Sequence, residues 1–187
     1  MGQKNKKRLN LATFLILTMA TLLPAQISSG QTDSLVRLMN ATSLEQADRN
    51  GELCRKAVNA TFLHNGTYLI CDSSFWNVDE KIINCIGHVQ LVQGESILTS
   101  DKLDYFIDEN LAQFRGELVQ LRNKQDNILR THFLDYNTLD STAVFSNGAA
   151  MKSKDGQVIE SEEGIYYNSR SFFRFKGNVD MFSDSVF

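Results

Sequence analysis

The sequence predicts an all-β, antiparallel protein assembled from hairpin repeats of roughly thirty residues, and three observations carry that prediction. Gly87, Gly116, Gly148 and Gly177 open similar phrases at spacings of 29, 32 and 29 residues. Trp76, Tyr105, Tyr136 and Tyr166 precede these glycines by 11, 11, 12 and 11 residues, and four residues before each aromatic stands Asp72, Asp101, His132 or Glu162. Apolar and polar residues alternate with period two: Phe173, Phe175, Gly177, Val179 and Met181 interleave with Arg174, Lys176, Asn178 and Asp180. Such alternation marks half-buried antiparallel strands. Ser100–Gly116 and Ser161–Gly177 align without a gap, pairing Tyr105 with Tyr166 and Phe114 with Phe175.

The elements follow in order. Lys4, Lys6, Lys7 and Arg8 precede an apolar run from Leu9 to Leu23, and Ser28-Ser29-Gly30 supplies small residues after it. A basic start, a short apolar stretch and small residues describe a secretory signal peptide, so residues 1–30 are expected to be removed near Gly30–Gln31. An uncleaved anchor is the competing reading. Residues 31–187 then form one domain, because no Pro/Gly/Ser-rich linker interrupts them.

Leu35 to Ala47 and Leu53 to Phe62 read as a first, divergent hairpin around Asp48-Arg49-Asn50-Gly51, with helix over Ser34–Gln46 as the alternative. Tight turns are expected at 64–67, 79–81, 108–110, 138–141, 154–157 and 168–170, all rich in turn formers. Ile97, Thr99, Asp101, Leu103, Tyr105 and Ile107 share one parity before their turn, as Ile83, Cys85, Gly87, Val89 and Leu91 do after theirs. In the second and third units this alternation slips at the glycine, as a β-bulge would make it.

Composition excludes more than it selects. Nineteen basic residues against 22 acidic give a net charge of −3, and without residues 1–30 the balance becomes 15 against 22, or −7. A general nucleic-acid binder is excluded on that charge. His64, His88 and His132 are scattered, and HExxH, GxSxG, GxGxxG and P-loop spacings are absent, so no catalytic site, metal site or cofactor is expected. Asp72, Asp101 and Glu162, repeated at one station, suggest a polar role at strand ends or turns rather than paired catalytic carboxylates. The aromatic ladder reads as packing between units, with sugar stacking the lesser alternative. Cys54, Cys71 and Cys85 form no metal pattern; free thiols are favoured, and a Cys71–Cys85 disulfide stays open if the chain is exported.

The phrases Tyr68-Leu69-Ile70-Cys71-Asp72, Ser100-Asp101-Lys102-Leu103-Asp104-Tyr105 and Gly177-Asn178-Val179-Asp180-Met181 resemble the OstA-like family, which includes LptA and the periplasmic part of LptD. The resemblance covers residues 35–187. It implies a β-jelly-roll shaped as an open V of two sheets, in a periplasmic protein of the Gram-negative envelope. The implied work is lipopolysaccharide transport from inner to outer membrane, with the lipid A acyl chains in an apolar trough. Implied partners are lipopolysaccharide, other Lpt-type proteins joined through edge strands, and further copies of the chain by stacking. Val89, Leu91, Phe114, Leu118, Phe145, Phe173, Phe175, Val179 and Met181 are the candidate trough residues, and the same residues could instead fill a closed sandwich. Two alternatives stand beside this: an envelope module that only docks proteins by strand addition, and a carbohydrate-binding β-repeat. The last unit stops some ten residues after Gly177, which reads as the amino-terminal part of a longer array, with an exposed docking edge as the alternative.

Overall fold

The computed structural model describes residues 35–183, so the expected signal peptide lies outside the described residues. Within them run fourteen strands: β1 (Arg37–Asn40), β2 (Ser43–Arg49), β3 (Glu52–His64), β4 (Thr67–Asn77), β5 (Ile82–Gln93), β6 (Ser96–Phe106), β7 (Leu111–Arg122), β8 (Ile128–Asn137), β9 (Thr142–Phe145), β10 (Ala149–Lys152), β11 (Gln157–Ser161), β12 (Glu163–Tyr167), β13 (Phe172–Lys176) and β14 (Asp180–Ser183). Each expected tight turn falls between two of them. The segment that left helix open is extended, because β1 and β2 both pair antiparallel with β3.

All pairs are antiparallel and form one open sheet that branches at both ends. Wing one follows β2-β3-β4-β5-β6-β7-β8-β9-β12-β13, and wing two follows β1-β3-β4-β5-β6-β7-β8-β10-β11-β14. Strands β3 to β8 belong to both, because each runs through a bend in its middle. Register irregularities mark the bends, between Ile70 and Ser73, Ile86 and Val89, Thr99 and Lys102, and Arg115 and Val119. The slip expected for the second and third units is therefore present in the first as well. In β5, Gly87 and His88 both take positive φ (79° and 42°), two residues facing one on β6.

The bend also corrects one expected face. Leu98 and Ser100 are buried before it, Leu103 and Tyr105 after it, while Asp101 is exposed. Ile97, Thr99 and Asp101 therefore do not share a face with Leu103 and Tyr105. An irregularity between paired strands reverses the parity of everything beyond it.

Folded at the bends, the two wings lay their apolar faces on each other in a two-layer jelly-roll. Wing one contributes Ile83, Tyr105, Ala112, Tyr136, Ala143 and Tyr166, directly paired across neighbouring strands so that large and small alternate. Wing two contributes Phe62, Leu69, Leu91, Leu98, Leu121, Leu129 and Met151, also directly paired across neighbouring strands but all large, and all of them join one buried cluster. Val36, Leu38 and Ala41 pack on the front end of that cluster; Ile159, Phe173 and Phe175 border it at the rear, only half-buried.

Candidate functional site

The space between the wings is the candidate site. Four of the nine candidate trough residues, Val89, Leu91, Phe114 and Phe145, lie inside it and are fully buried. Phe173 and Phe175 stand at its rear mouth, stacked in parallel at 5.8 Å, with Phe173 4.3 Å from the Tyr166 ring and Phe175 6.4 Å from Phe145. Met181 pairs across from Ile159, in line with buried Met151, yet is 66% exposed, with no strand of wing one over it among the described residues. Leu118 and Val179 do not reach the interior. Leu118 sits in the extra residues of the β7 bend and Val179 in the break between β13 and β14, and both are half exposed.

Sequence reasoning missed Leu98, Leu121 and Leu129, which are as buried as Phe114. Their signal is the alternation on the far side of each bend, which the parity read through Ile97, Thr99 and Asp101 places on the wrong face for Leu98. The front interior holds a void of about 10 Å³ lined by Val36, Phe62, Leu69, Ile83, Leu91 and Tyr105, room for about one water, among side chains that are otherwise almost fully buried. At the front, then, the apolar face is a filled core.

A polar seam closes the side opposite the bends. Turns of wing two meet turns of wing one: Asn65 Nδ2 donates to Asn110 Oδ1 at 2.8 Å, Gln93 Nε2 to the Thr138 carbonyl at 2.7 Å, and Ser96 Oγ to Asn168 Oδ1 at 2.7 Å. The ladder tyrosines bury their rings and send their hydroxyls to this seam. Tyr105 Oη lies 2.5 Å from His64 Nδ1 and 3.1 Å from Thr138 Oγ1. Tyr136 Oη donates to Gln93 Oε1 and accepts from Asn168 Nδ2, while Tyr166 Oη donates to Asn168 Oδ1. Burial pushes the Tyr136 phenol up to about 12, so it remains a neutral donor at physiological pH. With the rings enclosed, they offer no face for a sugar to stack on. Rearward the seam widens into a polar cleft of about 510 Å³ flanked by Gln93, Glu95, Lys124, Ser141, Asn168 and Arg170.

The repeated acidic station belongs to the bends, not to strand ends or turns. A Cβ built on Gly87 would stand 2.5 Å from Asp72 Oδ2; on Gly116, 2.9 Å from Asp101 Oδ2; on Gly177, 2.5 Å from Glu162 Oε2. Each carboxylate thus lies in the space that its glycine leaves empty. His88 Nδ1 is 2.6 Å from Asp72 Oδ2, and Asn178 Nδ2 donates to Glu162 Oε1 at 2.5 Å. Just before the station, Ser100 and Ser161 donate to the carbonyl two residues on, at 2.8 and 3.0 Å. Cys71 holds the equivalent place in the first unit.

Cys54, Cys71 and Cys85 are free and buried. A hydrogen bond from the Cys85 thiol lowers the Cys71 pKa, whereas burial pushes Cys85 well up. Among the described residues no three His, Cys, Asp or Glu side chains gather to hold a metal ion.

A bent, branching sheet whose repeats lay two apolar faces together, and whose edge strands pair on one side only among the described residues, defines a repeat-built jelly-roll with a longitudinal apolar interior. The family profile described as OstA-like protein matches residues 33–186, and the chain belongs to that family. It is similar in fold to the crystal structure of LptH from Pseudomonas aeruginosa, the LptA homologous periplasmic component of that organism's conserved lipopolysaccharide transport device. Identity is 16% and the TM-score 0.53, over 62% of this chain and 93% of that one. No curated protein matches the sequence.

Proposed function

We propose that this chain is an exported periplasmic carrier of lipopolysaccharide that shields lipid A acyl chains between its wings and helps bridge the inner and outer membranes. The observation that carries the reading is the rear mouth: the apolar interior runs the length of an OstA-like fold and, among the described residues, reaches the surface at half-buried Phe173 and Phe175 and exposed Met181. Each methylene moved from water into that interior contributes about 0.8 kcal/mol. The front is filled, so acyl chains pass it only if the wings part at the seam and core side chains give way to the lipid. The hydrogen bonds across the seam are each worth about 1 kcal/mol net, a barrier that the cargo's own burial offsets.

Residues 1–30 act in this reading as the signal peptide and 31–187 as the carrier domain. Strands β1, β2, β13 and β14 each pair on one side only among the described residues, and such edges accept a neighbour's strand, from another Lpt-type protein or a second copy. The packed front favours a second reading, a module that only docks other proteins by strand addition.

Photo-crosslinking in cells separates the two, with a reactive aromatic at Phe114, at Phe175 and at exposed Arg174. Lipopolysaccharide adducts at the first two and none at Arg174 are expected of a carrier. Protein adducts alone would leave the docking module.

A further inference from the structure

Three of the four bends hold an acidic side chain over their glycine, and the fourth does not. His132 stands at that station, and a Cβ built on Gly148 would meet no atom within 4 Å. The exposed space there is a cleft of about 300 Å³ bounded by Glu117, Leu118, Arg130, His132, Gly148 and Ala149. At this bend Gly148 takes φ 79°, as Gly87 does, its N–H donates to the Glu162 carbonyl, and buried Thr131 donates to the Gly148 carbonyl at 2.7 Å. The carboxylate is missing here, and Ala149 stands where His88 and Asn178 hold the carboxylates of their own bends, so the polar groups around the gap come from Arg130 and His132 instead.

We infer that this vacant station is a binding site for an acidic sugar, whose carboxylate or phosphate takes the place that Asp72, Asp101 and Glu162 fill at the sister bends. The surrounding chemistry fits such a ligand. Arg130 gives one donor, Nε, to Gln120 Oε1 at 3.3 Å, and its guanidinium carries four more. The His132 ring supplies an N–H in either protonation state. Glu117, on the opposite rim, repels a bare anion and accepts from hydroxyls, so it selects a ligand that carries both. Leu118, half exposed, and Ala149 present an apolar ledge for the C–H face of a sugar ring. The acidic sugar comes either free or as the saccharide of a glycolipid. The second source rests on the carrier reading above.

The test is an NMR titration of the full chain with galacturonate, with neutral galactose as control. Galacturonate is expected to shift the amide signals of His132, Gly148 and Ala149 in a saturable way, with galactose about tenfold weaker or more, the scale of one charge-assisted hydrogen bond. His132→Asp restores the carboxylate of the sister bends without disturbing the core, and it should cut galacturonate affinity at least about tenfold, as should Arg130→Gln. Equal shifts with both sugars, or unchanged affinity in His132→Asp with a folded spectrum, would overturn the inference. A crosslinker at Leu118 separates the sources. Lipopolysaccharide adducts there that vanish in His132→Asp place the site on the glycolipid; galacturonate binding without them places it on free sugars. Galacturonate binding in a chain that gives no lipid adduct at Phe114 or Phe175 keeps this site and rejects the carrier reading.

Discussion

The front and the rear of the molecule solve the same problem differently. In front, β3 to β7 run 11 to 13 residues each, straight through their bends, so the backbone of every strand joins both wings. Behind β8, the strands are four or five residues long and stop at the bend, leaving β9 and β10, β11 and β12, and β13 and β14 as separate pieces. Parting the wings in front must flex continuous paired strands, whereas in the rear it strains only short connections. The burial pattern agrees: Phe114 is fully enclosed, while its repeat counterpart Phe175 is half-buried. Among the described residues, one repeat sequence thus gives an end of long, continuous, filled strands and an end of short, half-buried ones.

The largest test of that contrast is a pair of truncations at equivalent positions. Phe114→Ala should cost about 3–5 kcal/mol in urea unfolding, the usual loss for an enclosed phenylalanine. Phe175→Ala, with less surface to re-expose and a mouth that collapses easily, should cost about 1–2 kcal/mol. Equal costs would mean that the rear is packed as tightly as the front.

Next in size are the bend glycines. Gly87→Ala must accept a positive φ and also displace the Asp72 carboxylate, for about 2–3 kcal/mol together. Gly148→Ala accepts a like φ but meets open space, for about 1 kcal/mol. Adding Asp72→Ala to Gly87→Ala should recover part of the larger loss. If both glycines cost the same in thermal unfolding, the carboxylate does not occupy its cradle in solution.

The seam comes third. Tyr136→Phe keeps the buried ring and removes the hydroxyl that Gln93 and Asn168 share, for about 1 kcal/mol, and leaves Gln93 to find water at the rear cleft. Hydrogen exchange should quicken in the turns at 94–95 and 168–171 before it does at 65–66. Uniform quickening along the seam would erase the distinction between its two ends.

How much of this the sequence carries depends on what each feature leaves behind in one dimension. Turn residues, the repeat and the alternation within each half-strand are local, and they place nearly every strand. Gly87, Gly116, Gly148 and Gly177 are equally visible, but a bend's effect on parity is not, since it depends on how many residues the partner strand inserts. That is why the alternation groups Asp101 with Leu103, and points Leu118 and Val179 into an interior they do not enter. The seam was unreadable for another reason: Asn65 and Asn110, or Ser96 and Asn168, meet only when two layers close, and a lone asparagine in a turn already has a local explanation. His132 was legible as an exception to the repeat. What the exception does needed the geometry of its three sisters.

The smallest effect is electrostatic, and it too divides front from rear. At the first bend the Asp72 carboxylate hydrogen-bonds the His88 ring and raises the histidine pKa above its usual value of 6.5. A pKa higher in the folded chain than in the unfolded one means that folding favours the protonated ring. The contribution is fully present below the usual value and fades as pH rises through the folded one. His88 is exposed, so solvent screens the pair and global stability should hardly respond; the signature is local. At the last bend Asn178 does the same work for Glu162 with an amide, which has nothing to titrate there. The His88 ring, followed by NMR, should therefore titrate above its usual value and return to it in Asp72→Asn. Amide exchange around Gly87 should quicken across that same pH interval relative to exchange around Gly177. A His88 titration unmoved by Asp72→Asn would mean that the ring and the carboxylate are not joined in solution, and that the first bend is held by backbone alone.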